Sequence, residues 1–347
     1  MATIYDVAEK AGVSPKTVSR VLNGDAPVGK STREAVEAAM QQLGYVRNNA
    51  ARMMRATRSG VIGLVTGAIS QDMTQPAGLP DLFIVQGVQA RLAKAGRTLM
   101  IADTAGQQDR IPALFRTFQE HRVEGLIYVA DHHKQVELPP VPADIPLILA
   151  NCFDDAGTPA VLPDDRAGQK ALTKALIDAG HQRIAYVTLH QHMAATRLRS
   201  EGYLAALSDA NLPIDQELIR TGIKTSYSED GPLLEDAIAG LLSLNDPPTV
   251  ICFGNDEMAM RGYGILRSRG LDVPGDVSVA GYDDYRAIAE TLFPPLTTVD
   301  LAYRTIGEAA AGHLLNLIEG NRAGDHLYRV AGPLRWRQSV RDRNISH

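Results

Sequence analysis

Residues 3–23 read Thr3-Ile-Tyr-Asp-Val-Ala-Glu-Lys-Ala-Gly-Val-Ser-Pro-Lys-Thr-Val-Ser-Arg-Val-Leu-Asn23, and their spacing decides how the chain begins to fold. Ile4, Val7, Ala8 and Ala11 recur at i, i+3, i+4 and i+7, so Thr3–Ala11 is predicted as a short amphipathic helix with Thr3 as N-cap. Gly12 stops it. Ser14-Pro15 opens a second helix, with serine as N-cap and proline at the first helical position. Val18, Val21 and Leu22 form its apolar face, and Asn23-Gly24 ends it. Ser31-Thr-Arg-Glu34 reads as a capping box for a third helix, in which Val36, Ala39, Met40 and Leu43 share a face and Gly44 is the stop.

Two short helices joined by a three-residue turn and crossed by a third make a helix-turn-helix. Such a unit holds its second helix rigid. The polar side of that helix carries Ser14, Lys16, Thr17, Ser19 and Arg20, short donors and two long cations suited to base edges and phosphates. By geometry alone, a three-helix bundle with a solvated face fits equally well. The charge distribution adds to the first reading. The whole chain carries a net charge of −5, yet residues 1–58 hold nine Lys and Arg against five Asp and Glu. A basic head on an acidic body suggests a polyanion-binding module.

The chain has 347 residues, which at about 100–200 per domain suggests two or three domains. With 45% hydrophobic and 22% charged residues, wholesale disorder is excluded. Cys152 and Cys252 lie too far apart in sequence for a metal-ligand spacing and form no disulfide framework, so both are expected buried and reduced. Apolar stretches such as Val123–Ala130 fall well short of the ~18 residues a membrane span needs. The start, Met1-Ala-Thr-Ile-Tyr-Asp6, has no signal-peptide pattern, and a cytoplasmic protein is expected.

Past Gly60 the pattern alternates between strands and helices. Strands are predicted at Val61–Thr66, Thr98–Asp103, Gly125–Ala130, Pro146–Ala150, Ile184–Thr188, Thr249–Phe253 and Val277–Gly281. Helices at Ile84–Ala95, Ala167–Ala179, Leu198–Ala210 and Glu257–Arg269 lie between them. This alternation means parallel sheets covered by helices. A break near 151–165 fits two doubly wound lobes. In such sheets ligands bind beyond the carboxyl ends of the strands. Asn151, Asn255-Asp256 and Asp283-Asp284 follow strands, and Arg197 heads a helix after one. Amides, a carboxylate and a guanidinium in one cleft suit a polyhydroxylated ligand. The same positions would also serve as helix caps.

The stretch 3–23, continued through Ser31–Tyr45 and Asn48–Arg55, resembles the N-terminal signature of the LacI/GalR family of repressors. Arg197-Leu-Arg-Ser-Glu-Gly-Tyr203, Gly254-Asn-Asp-Glu-Met-Ala259 and Gly281-Tyr-Asp-Asp284 resemble that family's effector-pocket segments, so the resemblance spans nearly the whole chain. It implies an α/β protein with a helix-turn-helix headpiece (1–46), a hinge helix and linker (47–59), and a periplasmic-binding-protein-like core of doubly wound parallel sheets (60–347). Lobe one of that core is expected at about 60–163 and 295–325, and lobe two at about 164–294 and 326–347.

The resemblance implies a sequence-specific DNA-binding transcriptional regulator, a repressor and homodimer, acting on a pseudo-palindromic operator in double-stranded DNA. The residues implied for DNA are Ile4, Tyr5, Ser14, Pro15, Lys16, Thr17, Ser19, Arg20, Asn23, Thr32, Tyr45, Met54 and Arg55. Those implied for a small effector, a sugar or sugar phosphate with a purine as runner-up, are Asn151, Arg197, Asn255 and Asp283. Met54 stands where the family usually has leucine as a minor-groove wedge, and Arg47 where it often has proline. Residues 67–81 lack the aromatic usual there, while Tyr227 fits either a sugar face or plain surface. No leucine heptad follows Trp336, which points to a dimer rather than a tetramer. His132-His133 and His190-x-His192 sit in polar stretches without a third ligand and read as solvated histidines. No metal, cofactor or catalytic set is expected. A solute-binding protein or an enzyme on the same scaffold is the alternative, but neither accounts for residues 1–58.

Overall fold

The computed structural model describes residues 2–23, 28–45, 58–67, 79–223, 231–321 and 326–345. The predicted hinge with Arg47, Met54 and Arg55, most of the 67–81 stretch, and Tyr227 lie outside the described residues. The chain divides into two compact units, residues 1–59 and 60–347.

The first unit is three helices, α1 (Ile4–Lys10), α2 (Pro15–Asn23) and α3 (Lys30–Leu43). Val7, Ala8, Val18, Val36 and Ala39 form its buried centre, so each helix contributes the residues its periodicity assigned inward. Thr3 caps α1 reciprocally with Asp6: the Thr3 backbone N–H donates to the Asp6 carboxylate at 2.7 Å, and the Asp6 N–H to Thr3 Oγ1 at 3.4 Å. Gly12 sits at φ +66°, which lets the chain turn sharply into α2. Ser14 Oγ then accepts the Thr17 N–H at 3.1 Å. The third helix differs from expectation. It begins at Lys30, two residues earlier than a helix capped by Ser31, with Gly29 as a cap that has no side-chain hydrogen bond, so the Ser31–Glu34 capping box is not formed.

The second unit holds two parallel sheets. In lobe one, β1 (Val61–Thr66), β2 (Thr98–Asp103), β3 (Leu126–Gln135), β4 (Leu147–Phe153), β5 (Ala160–Pro163) and β11 (Leu327–Val330) lie in the order β11-β5-β4-β3-β1-β2. In lobe two, β6 (Ile184–Thr188), β7 (Ile219–Thr221), β8 (Val250–Phe253) and β9 (Ser278–Ala280) lie in the order β7-β6-β8-β9. A short antiparallel pair, β10 (Thr298–Val299) with β12 (Leu334–Arg335), joins two of the segments that pass between the lobes.

Lobe one is covered on one face by α4 (Leu79–Lys94) and α11 (Tyr303–Ile318). These two cross so closely that a Cβ on Gly87 would meet the Arg304 carbonyl, and one on Gly307 the Ile84 carbonyl. The other face carries α5 (Ile111–Glu120). Lobe two is covered by α6 (Asp165–Asp178) and α7 (Ala194–Asp209) on one side. On the other lie α8 (Gly231–Leu242) and α9 (Asp256–Ser268), with the single turn α10 (Arg286–Ala289) beyond.

Several assignments in the second unit change: α4 begins at Leu79 and not Ile84, and α7 begins at Ala194 and not Leu198, so Arg197 lies within it and not at its head. The strand β5 lies inside the stretch read as a break, and β3 runs to Gln135 instead of ending at Ala130. The returning segments also divide differently. β11 pairs with β5 and so belongs to lobe one, whereas Thr297 and Asp300 bridge to Ala280 and Asp283 in lobe two. The reason is that strands of two to four residues carry no usable periodicity; only their partners reveal which sheet they join. Cys152 and Cys252 are free and buried, as expected.

Candidate functional site

In α2, Val18 is fully buried while Lys16 and Arg20, four residues apart, project together from the exposed face. Among the described residues neither cation takes part in an ion pair. Ser14 is exposed, its hydroxyl 2.9 Å from that of Thr17, and Pro15, Thr17 and Ser19 are half-buried. Tyr5 is 71% exposed, a large aromatic that the unit's own core does not use. Ile4 and Tyr45 pack against the small core, and Thr32 is half-buried in α3. Asn23 ends α2; its side chain lies outside the described residues. Two exposed cations beside small hydroxyls make a surface suited to a phosphate backbone and base edges.

The second site lies where lobe two meets lobe one. Arg199, on the buried face of α7, donates from Nε to Asp165 Oδ1 at 2.7 Å and from Nη1 to the Gly254 carbonyl at 2.6 Å. Its guanidinium lies 3.8 Å from the centre of the Tyr282 ring, and Nη2 is 3.9 Å from Asp283 Oδ1. Burial pushes the Asp165 carboxyl up, but Arg199 and His133 outweigh it and hold the group below the ordinary aspartate range.

Asp283 sits at φ +123°, its N–H donating to the Val299 carbonyl at 2.8 Å. Burial, opposed by Arg199 and reinforced by the charges of Asp256 and Asp165, pushes its carboxyl well above the ordinary range. The neighbouring Asp256 and Asp284 are taken by the fold. Asp256 accepts from Thr298 Oγ1 at 2.6 Å and the Tyr285 N–H at 2.7 Å. Asp284 accepts from Arg337 at 2.6 Å.

Residues 3–48 match the family described as "Bacterial regulatory proteins, lacI family", and residues 173–340 match a "Periplasmic binding protein-like domain". The chain is 32% identical over 333 residues to the HTH-type transcriptional repressor PurR of Vibrio atlanticus, covering 95% of each. It is 32% identical over 321 residues to the ribose operon repressor of Escherichia coli K12, covering 92% of this chain and 93% of that one. This chain is a member of the LacI family. The structure of the lac repressor dimer bound to operator and the anti-inducer ONPF superimposes with a TM-score of 0.76 at 26% identity, covering 98% of this chain and 99% of that one. As a LacI-family protein it is a DNA-binding transcriptional repressor and not an enzyme.

Within this family frame the sequence-derived effector residues fare unequally. Asp283 stands beside the buried arginine. Asn255 caps α9, its Oδ1 accepting the Met258 N–H at 2.9 Å, which is the helix-cap alternative. Asn151 is buried at φ +62°; its Nδ2 donates to the Ala130 carbonyl at 3.1 Å, while its Oδ1 has no partner among the described residues.

Arg197 is not brought to the cluster. Its side chain is 62% exposed and pairs with Glu201 one helical turn on. The guanidinium at the site belongs to Arg199. The phase of α7 explains this: Ala195, Thr196, Arg199, Gly202, Tyr203 and Ala206 are buried, and a residue two positions before Arg199 faces away. That spacing to Gly202 and Tyr203 is visible in the sequence and selects Arg199.

Asp165 and His133 also belong to the cluster, though neither stands out as an effector residue in the sequence. His133 is not solvated: β3 carries it to Asp165, and it is 6% exposed. His190 and His192 do lie in a loop, and among the described residues no group of three or more His, Cys, Asp or Glu is placed to hold a metal.

Proposed function

We propose that this LacI-family repressor binds a pseudo-palindromic operator as a homodimer in the cytoplasm, and that a small polyhydroxylated effector held between the two lobes sets its affinity. The observation that carries the DNA half is α2, with Val18 inside and Lys16 and Arg20 together on its exposed face. Two heads in a symmetric dimer read two half-sites, which gives the operator its symmetry. Support comes from the lac repressor structure, a dimer on its operator. Among the described residues no helix is long and apolar enough to cross a membrane.

The effector half rests on Asp283. Its carboxyl can accept from ligand hydroxyls, and Arg199, with Nη2 3.9 Å from Asp283 Oδ1, is fixed by Asp165 and the Gly254 carbonyl. That arrangement matches the vicinal hydroxyls of a sugar. The ribose operon repressor, similar over most of its length, carries a sugar in its name. An effector must bind one lobe arrangement better than the other, and a coupling of about 1–3 kcal/mol changes operator affinity roughly 5–150-fold.

The test is a thermal-shift screen of sugars, sugar phosphates and purines on wild type and Asp283→Ala. A sugar should raise the melting temperature of wild type alone. A ligand stabilising both proteins equally would place the effector elsewhere.

A further inference from the structure

We propose that His133 is a positioning residue that latches lobe one to the arginine–carboxylate pair of lobe two. The continuation of β3 past Ala130 places it. The strand pairs normally with β4 up to Val129, shifts register, and pairs again from Lys134. The irregular segment between carries His133 out of lobe one's sheet and onto Asp165, the first residue of α6 in lobe two.

His133 Nδ1 and Asp165 Oδ2 are 2.8 Å apart, with side chains 5% and 0% exposed. Asp165 Oδ1 takes the Arg199 Nε–H. One carboxylate therefore serves both partners, one oxygen for each lobe. The His133 ring also meets the Phe153 ring of β4 in a T-shaped contact, with ring centres 5.8 Å apart, which fixes the imidazole against its own lobe. The remaining charges on its strand are occupied with each other: Asp131 pairs with His132 at 3.1 Å and with Lys134 at 2.5 Å.

The arrangement separates two roles. Arg199 alone keeps Asp165 paired, so removing His133 leaves no naked buried charge in lobe two. What is lost is a buried hydrogen bond across the lobe boundary. The imidazole thus acts on the effector site through Asp165 and Arg199, by fixing the lobe arrangement in which those two groups stand.

The inference rests on the two-lobe switch proposed above, but its test uses neither DNA nor effector, so its failure leaves that reading untouched. Spin labels are placed on the full chain at the exposed Glu137 of lobe one and Glu217 of lobe two, and the labelled chain is diluted with unlabelled protein. Pulsed electron–electron distances are recorded for wild type, His133→Ala and His133→Gln, alongside thermal melts.

The expected result is a single narrow distance in wild type and a broadened or two-population distribution in His133→Ala. In His133→Gln, whose amide keeps a donor for Asp165, the narrow distance returns. The same distribution in wild type and His133→Ala overturns the proposal. So does a glutamine variant no better than alanine. Loss of a cooperative melt in His133→Ala also overturns it, because His133 would then be part of the folding core and not a latch.

Discussion

Arg20 in the head and Arg199 in lobe two are the same side chain in opposite settings. Arg20 stands exposed, with no carboxylate partner among the described residues. Arg199 is 5% exposed and committed to Asp165, the Gly254 carbonyl and the face of Tyr282. The first is free to spend its charge on an incoming polyanion, whereas the second has already spent it inside the fold and serves by holding other groups in place. A charged residue's neighbours, more than its type, decide whether it binds or positions.

The contrast is broken most sharply at the buried end. Arg199→Ala leaves the Asp165 carboxylate, with no side-chain exposure, short of its main counter-charge. The unfolding free energy of the second unit should fall by about 3–5 kcal/mol, read by urea denaturation. A loss below 1 kcal/mol would mean that the pair is not structural.

A pH comparison comes next. Burial pushes the Asp256 carboxyl up to about 7. A carboxyl raised in the folded state contributes fully while protonated, below its unfolded value, and the contribution is lost as pH rises through the folded value. Asp256→Asn removes that dependence. The melting temperature of the variant relative to wild type should therefore rise between pH 5 and pH 8, with roughly 2–4 °C for each kcal/mol involved. A difference that stays constant across this range would contradict the assignment.

The smallest effect is expected at Arg197. Its pair with Glu201 is exposed on both sides, and such pairs contribute about 0.2–1 kcal/mol. Arg197→Ala should leave stability and effector response close to wild type, measured beside Arg199→Ala in the same urea titration and ligand screen. Loss of effector response in Arg197→Ala with a native melt would restore it to the site.

The same contrast explains what could be read from the chain. The head is local: Val7, Ala8, Val18, Val36 and Ala39 lie within a few turns of one another, so helical spacing alone assigns inside and outside. The effector region is not local. Arg199 meets Asp165 across 34 positions and Gly254 across 55, and no window of sequence contains those pairs. Asp283 was legible because it lies just beyond the carboxyl end of a strand, β9. His133 was not, because the bulge that redirects β3 has no signature in Asp131-His-His-Lys134. The choice between Arg197 and Arg199 was legible in principle, through the helical phase shared with Gly202 and Tyr203.

The central claim is that the exposed cation face of α2 reads a symmetric DNA site. It is tested most directly by footprinting wild type and Arg20→Ala on fragments selected from genomic DNA. The expected result is a two-fold symmetric protected region in wild type, with specific affinity lowered by about 1–3 kcal/mol in Arg20→Ala. A single asymmetric half-site, or unchanged affinity and sequence preference in Arg20→Ala, would contradict it.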